Sequence, residues 1–109
     1  MREVGRGDIV RLLDDRGAPD LAAVVVQSTA FSALPSLLIC PLTYEEVDAP
    51  MLRVSVGGGG DTGLPGPAWA MPELLTAVPR DRVGRVIGQV NGNALRHLDR
   101  AMLALLGIA

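Results

Sequence analysis

The sequence predicts a mainly β protein that ends in one α-helix. Short apolar runs separated by Gly- and Pro-rich turns fill residues 5–90, and only the segment from Asn91 to Leu106 has the period of a helix. No connection between the runs except the last can hold a crossover helix, so we expect a small antiparallel sheet. The 109 residues are the usual size of one domain, which we expect to span 1–109.

Three strands joined by short turns are predicted in the first half of the chain. The first lies within Gly5–Leu13, and "DDRGAPD" (Asp14–Asp20) then supplies Gly and Pro for a hairpin loop. The second runs from about Leu21 to Ser28, and the third from about Leu37 to Thr43. The stretch between them is interrupted by Pro35, so it holds no more than one helical turn.

The second half is predicted to contain shorter strands around a long loop. Met51–Val56 alternates apolar and polar residues, as a half-buried strand does. "GGGGDTGLPGP" (Gly57–Pro67) is predicted to be a flexible loop without regular structure. Two short strands, 68–71 and Gly84–Val90, follow it. The segment between them, 72–79, is bracketed by prolines and allows one short turn of helix.

The last segment has the start and stop signals of a helix. Asn91 or Asn93 is the predicted N-cap, and Gly107 the predicted C-terminal stop. Leu103 lies off the apolar stripe and is a candidate for a subunit contact. The stripe that we expect to pack on the sheet consists of Leu95, Leu98, Met102, Leu105 and Leu106.

The composition excludes some classes of protein and some kinds of binding partner. The chain is 49% hydrophobic and 20% charged, which excludes a disordered segment, and its 3% aromatic content predicts an aliphatic core. All 10 basic residues are arginines, and 12 acidic residues give a net charge of −2. Because no general positive field exists, any contact with nucleic acid has to be local.

Cys40 and the lengths of the apolar runs indicate where in the cell the protein is expected. Cys40 lies inside the apolar stretch "LLICPL" and is predicted to be a small core residue. The longest apolar runs are far shorter than the ~18 residues of a membrane span. We therefore expect no membrane association and a cytoplasmic location.

Several short motifs, taken in order, resemble those of the MazF/PemK family of toxin–antitoxin toxins. They are "RGDIV" (6–10), "VVQS" (25–28), "PLT" (41–43), "GRVIG" (84–88) and a final helix that ends Leu-Gly. The resemblance implies an SH3-like barrel with a C-terminal helix and a homodimer. It also implies a metal-independent endoribonuclease without a cofactor, acting on single-stranded RNA and restrained by a cognate antitoxin. In the family, strand ends near Gln27, Ser28 and Thr43 line the groove that handles RNA.

Cutting RNA without a metal requires a particular set of groups. The 2′-hydroxyl is the nucleophile, so a base has to take its proton, an acid has to serve the leaving 5′-oxygen, and donors have to stabilise the phosphorane charge. Typical family members carry that positive charge on an Arg-Pro pair just before the second strand. Here Asp20 or Leu21 stands where that arginine would be.

The resemblance gives catalytic candidates in Thr43, from Pro-Leu-Thr, and Glu73, the acidic residue after the loop. Each also has a plain structural interpretation, Thr43 as a β-branched strand end and Glu73 as a solvated carboxylate. Gln27 and Ser28 are candidate RNA-binding residues. The only local cluster of three cations consists of Arg80, Arg82 and Arg85. This cluster is either an RNA-binding substitute for the lost arginine or a solvated face.

Three other side chains have weaker functional interpretations. His97, the only histidine, lies on the flank of the final helix. Trp69 and Tyr44 offer faces on which bases stack, although a chain so poor in rings also needs Trp69 for packing.

Two rival functions stay open at this stage. A DNA gyrase poison of the CcdB type shares the fold, but that type ends in Trp-Gly-Ile, whereas this chain ends with Leu106, Gly107, Ile108 and Ala109. The other rival is a non-catalytic barrel that acts as a binding subunit.

Overall fold

Antiparallel strands curled into a half-barrel and one C-terminal helix make up the fold, which confirms the predicted mainly β class. The computed structural model describes residues 4–109, and within them the strand order is β4-β5-β3-β2-β1-β7, with β6 also paired to β3. The elements are β1 (Asp8–Leu13), β2 (Pro19–Val25), β3 (Ser36–Thr43), β4 (Val54–Gly59), β5 (Leu64–Ala70), β6 (Thr76–Pro79), β7 (Val83–Gln89) and α1 (Gly92–Leu105).

The long central strand β3 organises the sheet. It pairs with β2 along one edge, while β5 and β6 pair with successive parts of its other edge. Side chains alternate between two faces. Cys40 and Val24 face the core that α1 covers through Leu98, whereas Ile39 and Val25 face a second core. All five of these side chains are buried.

The predicted glycine loop is largely a hairpin, so that prediction was wrong. Gly57 pairs with Ala68, and Gly59 with Leu64. Because the ladder is made by backbone groups, glycines can join it, and the φ of 71° at Gly57 falls where the register shifts. Only residues 60–63 form the turn. A Cβ on Gly63 would lie 1.9 Å from the carbonyl oxygen of Ile87, so this turn packs closely on β7.

Two other local predictions also differ from the structure. Met51 and Leu52 belong to a turn, closed by the Leu52 amide donating to the Ala49 carbonyl at 2.9 Å, so β4 starts at Val54. The proline-bracketed segment holds a short 3-10 turn, Pro72–Leu74, as predicted in kind, but then forms β6. Backbone pairing with β3 decides this, since Thr76 lies opposite Ile39.

The helix is confirmed, with a correction to its buried stripe. The Asn91 side chain accepts a hydrogen bond from the Ala94 amide at 2.8 Å, so Asn91 is the N-cap. The chain turns at Gly107 with φ 76°. Leu98 is buried, but Leu105 and Leu106 are 46% and 59% exposed. The inner stripe is completed by the half-buried Leu95, Ala101 and Met102.

Candidate functional site

A row of side chains crosses three strands at the C-terminal end of β3. Thr43 is paired with Trp69 on β5, and Trp69 with Ser55 on β4. Cross-strand partners point to the same face of a sheet. Their sequence neighbours Leu42, Ala70 and Val54 point to the other face and are buried, so the row lies on the face that α1 does not cover.

Leu21 extends this row on the β2 side. The register that pairs Ala23 with Pro41, continued by two residues, sets Leu21 opposite Thr43. Leu21 is 54% exposed, whereas Asp20 falls on the opposite face. The strand position opposite Thr43 on β2 is therefore occupied by an exposed hydrocarbon side chain.

An ion pair between Arg53 and Glu73 closes the other side of the row. Arg53 precedes Ser55 by two residues, and its Nη1 lies 2.5 Å from Glu73 Oε2. The two side chains are 17% and 29% exposed. Glu73 follows β5 in the 3-10 turn, where the Met71 amide donates to the Pro41 carbonyl at 2.9 Å. This contact holds the turn against β3.

The place of Arg53 in this site was not predicted, because its neighbours in the sequence indicate only an alternating strand. The signal was present, since Arg53 and Ser55 are the polar members of "RVSV" and Val54 and Val56 the buried ones. That pattern indicates that Arg53 shares a face with Ser55. It does not indicate that Glu73, 20 residues away, would reach the same place.

A cavity of about 570 Å³ opens beside the row. Arg53, Ser55 and Trp69 form its strand side, and the segment Glu46–Pro50 forms the rest. The lining therefore includes two carboxylates, on Glu46 and Asp48, and one guanidinium. Its dimensions suit a group of the size of a nucleotide more than an extended duplex.

The hydroxyl group of Thr43 keeps a donor available. Its Oγ1 accepts a hydrogen bond from the Glu45 amide at 3.1 Å, which fixes the start of the loop after β3. A hydroxyl has one proton to donate and two acceptor lone pairs. The half-buried Thr43 can thus donate to a bound anion while its oxygen is held by the backbone.

Gln27 and Ser28 lie at the other end of β3, where they hydrogen-bond to the backbone of a loop. Gln27 Nε2 donates to the Phe31 carbonyl at 3.0 Å, and its Oε1 accepts from the Leu38 amide at 3.1 Å. Ser28 Oγ caps the turn by accepting from the Ala30 amide at 3.2 Å. These contacts fasten residues 28–38.

The three clustered arginines are also remote from Thr43. Arg80 Nε donates to the Leu34 carbonyl at 2.6 Å, and Arg82 Nη1 pairs with Asp15 at 2.7 Å. Arg85 is exposed on β7. Since Pro79 pairs with Ser36, Arg80 lies about seven strand residues, or about 23 Å, from the Thr43 end of β3.

The remaining candidate residues lie either beside the row or away from it. Tyr44 follows Thr43 and is 50% exposed, so its ring is available next to the row. His97 is exposed on α1. Cys40 is buried as predicted. Burial raises its pKa to about 12, partly countered by a backbone hydrogen bond from Met71, and the charge of Glu73 raises the pKa further.

The described part of the chain contains neither a cluster of metal ligands nor a membrane-crossing helix. Among residues 4–109, no three His, Cys, Asp or Glu side chains converge as metal ligands would. No helix within that range has the length and apolar character needed to cross a membrane.

Comparisons with known proteins agree with the fold. Residues 6–106 match the family of PemK-like, MazF-like toxins of type II toxin–antitoxin systems. A "Probable endoribonuclease MazF" of Mycolicibacterium smegmatis is 33% identical over 86 residues, which are 79% of each chain.

Solved structures of similar fold include two complexes. An endoribonuclease with its cognate antitoxin from a mycobacterial species has a TM-score of 0.79 at 20% identity, covering 97% of both chains. MazE-MazF from Deinococcus radiodurans has a TM-score of 0.81 at 18% identity, covering 98% of this chain and 99% of that one. With the family match spanning nearly the whole sequence, the chain belongs to the PemK-like, MazF-like toxins of type II toxin–antitoxin systems.

Proposed function

We propose that this toxin is an endoribonuclease that cleaves single-stranded RNA by attack of the 2′-hydroxyl, without a metal ion. The observation that carries the proposal is the row of Thr43, Trp69 and Ser55 beside the Arg53–Glu73 pair and an open cavity. These residues combine a hydroxyl donor, an aromatic face, a carboxylate and a cation. The relative from Mycolicibacterium smegmatis, whose name includes endoribonuclease, supports the same chemistry.

Each group has a distinct part in this proposal. The Thr43 hydroxyl donates a hydrogen bond to a non-bridging phosphate oxygen, whose charge grows in the transition state. Glu73 accepts the proton of the 2′-hydroxyl and later returns a proton to the leaving 5′-oxygen. Trp69 and Tyr44 stack on the flanking bases. The RNA-binding role of Gln27, Ser28, Arg80, Arg82 and Arg85 stays a prediction.

The decisive experiment uses purified protein, total RNA and EDTA, followed by primer extension. Fixed cut sites that persist in EDTA support the proposal. Intact RNA together with gyrase-linked DNA breaks in a parallel assay would instead identify a gyrase poison. Intact RNA and intact DNA would leave a binding subunit, which contradicts the proposed activity.

The role of Glu73 has its own test. Glu73→Gln is expected to remove most cleavage, because the amide cannot take a proton. Asp81→Asn, at an exposed carboxylate in the 3-10 turn after β6, serves as the matched control. Cleavage by Glu73→Gln at the rate of Asp81→Asn would contradict the acid–base role.

We also propose that the toxin acts as a homodimer in the cytoplasm and binds a cognate antitoxin. Apolar grooves of about 320 and 400 Å³ share Val26 and Leu38. Phe31, Leu34 and Leu106 are 58%, 49% and 59% exposed around them. A cluster of this kind is unusual on a monomer surface. The dimer buries these side chains, and the antitoxin binds the assembled toxin.

Light scattering tests the dimer against the monomer mass of 11.4 kDa. Leu103→Glu, on the rim of the first groove, is expected to give monomers. Met51→Glu, which is 73% exposed by a different groove, should leave the mass unchanged. A monomeric parent protein at micromolar concentration contradicts the dimer.

The antitoxin is tested in cells. Induction of the toxin is expected to arrest growth, and co-expression of the antitoxin is expected to relieve the arrest.

A further inference from the structure

We propose that Arg53 is the phosphate-binding cation of this site, in the role that Leu21 cannot fill. The proposal rests on the proposed ribonuclease activity and names the residue that makes it possible without an arginine on β2. Its basis is the position of one guanidinium relative to Thr43, Trp69 and the cavity.

The reach of the side chain fits this role. Two strand spacings, about 10 Å, separate Thr43 from the β4 backbone at Ser55. Arg53 is on the same face as Ser55 and lines the same cavity as Trp69. An extended arginine and a phosphate together span such a gap, so a phosphate held by Thr43 from one side can meet Arg53 from the other.

Arg53 also has hydrogen-bonding capacity to spare. A guanidinium carries five N–H donors. Nη1 bonds to Glu73 and to the Leu52 carbonyl, both at 2.5 Å. Nε is buried and closed to a ligand, whereas Nη2 makes no hydrogen bond to any described residue. A guanidinium with an open terminal nitrogen is suited to a charge-assisted hydrogen bond with a phosphate oxygen.

Glu73 holds this cation in place before substrate arrives. The Arg53 side chain is only 17% exposed, so most of its conformational freedom is already lost in the free protein. A preorganised donor acts on developing charge without the cost of ordering it during the reaction. No other arginine within residues 4–109 is paired with a carboxylate that the sequence resemblance places at the site.

The alternative is that Arg53 only ties the start of β4 to the turn after β5. Both interpretations predict some loss of thermal stability when the ion pair is broken. Only the phosphate-binding role predicts a selective loss of RNA contact, a lower salt dependence, and rescue by a cation supplied from elsewhere.

The experiment compares Arg53→Gln, Arg53→Lys and Arg96→Gln, an exposed arginine on α1. Cleavage is measured on a short RNA, and affinity on the same oligonucleotide with a 2′-deoxy residue at the cut site. Arg53→Gln is expected to lower kcat by roughly 10²–10³-fold and to reduce the salt slope of binding by about 0.7. Arg53→Lys keeps the positive charge but loses the planar guanidinium, so it should retain part of the cleavage rate that Arg53→Gln loses.

A rescue arm separates catalysis from structure. Millimolar guanidinium, far below denaturing concentrations, should raise the rate of Arg53→Gln but not of the parent. Leu21→Arg in the Arg53→Gln background should also restore cleavage, because it returns a cation opposite Thr43. A thermal melt of each variant checks that it is folded.

The outcomes are distinct from those of the proposed activity. Cleavage by Arg53→Gln within threefold of the parent, with unchanged salt slope, overturns the role of Arg53 even if the protein is a ribonuclease. A parent protein that binds the RNA but does not cut it contradicts the proposed ribonuclease activity. In that case the salt slope of binding by Arg53→Gln still decides whether Arg53 contacts phosphate. If the parent neither binds nor cuts, both proposals fail.

Discussion

The two ends of β3 carry similar polar residues that are used differently. At the Ser36 end, Gln27, Ser28 and Arg80 all hydrogen-bond to backbone groups of the 28–38 segment. At the Thr43 end, the hydroxyl proton and the Arg53 Nη2 are not engaged in any such bond to a described residue, and Nη2, unlike the unpartnered Nη2 of Arg80, is not buried. A polar side chain that satisfies the backbone supports the fold, whereas one with open donors near a cavity is available for a ligand.

The cause of this difference is the local chain path. Residues 28–35 form a loop in which the backbone lacks strand partners, so side chains must supply hydrogen bonds. Around Thr43 the backbone is already paired with β5. The side chains on that face make few bonds to the backbone: Thr43 accepts from the Glu45 amide, and Arg53 donates to the Leu52 carbonyl.

The largest effect is expected from removing the hydroxyl at the Thr43 end. Thr43→Val should lower RNA cleavage on the order of 10²–10³-fold, while the free energy of unfolding changes by less than about 1 kcal/mol. Single-turnover rates and urea unfolding measure the two quantities. Thr76→Val, an exposed threonine on β6, is the matched control. Equal rates for the two variants would break the comparison.

The next effect concerns the Ser36 end. Gln27→Leu should lower the free energy of unfolding by about 2 kcal/mol, because it leaves the Leu38 amide and the Phe31 carbonyl without their partner. Chemical denaturation gives this value directly. Cleavage by the folded fraction should change far less. A large loss of cleavage at unchanged stability would show that Gln27 serves the substrate.

Midway along β3, the buried Cys40 predicts that the free energy of unfolding falls by about 1 kcal/mol between pH 8 and pH 10. Its folded pKa of about 12 lies above its usual value of 9.0, so the neutral thiol is favoured by folding. The contribution is fully present below pH 9 and is lost as the pH rises from 9 toward 12. At pH 10 the Cys40 thiol is mostly ionised in the unfolded chain and neutral in the folded chain. Ionisation therefore stabilises the unfolded chain by the free energy that corresponds to about one pH unit.

Cys40→Ala isolates this term, since it should remove that part of the alkaline loss of stability. Unfolding curves at pH 8 and pH 10 give the difference for parent and variant. Native Cys40 should also resist alkylation at pH 8. Rapid modification of the folded protein would show that the core around β3 opens to solvent.

The smallest effect is expected from the exposed Arg82–Asp15 pair. Both side chains are open to solvent, at 44% and 89% exposure, and such surface pairs contribute about 0.2–1 kcal/mol. Arg82→Gln also removes the Nε bond to the Leu13 carbonyl at 3.1 Å, so it should lower the free energy of unfolding by about 1 kcal/mol and leave cleavage nearly unchanged. A tenfold fall in RNA affinity would instead support the predicted RNA-binding role of this arginine, and would extend the site far beyond the Thr43 end.

Local signals in the sequence determined much of the fold. The helix follows from the Asn91 cap, the 3.6-residue period and Gly107, and the first three strands follow from apolar runs between turn residues. These features depend on neighbours within a few positions. The motif order likewise gave Asp20 or Leu21 at the position of the family arginine, and the register of β2 against β3 then selected Leu21.

Only the tertiary structure decided how the glycines and the charged residues are used. The backbone of Gly57–Gly59 pairs with β5 because a partner strand returns beside it, which no glycine signals by itself. Arg53 meets Glu73 because the β4–β5 hairpin and the turn after it set residues 20 positions apart side by side. Hydrophobic periodicity fixes which face a residue occupies, but contacts between distant residues depend on strand register, which the whole sheet determines together.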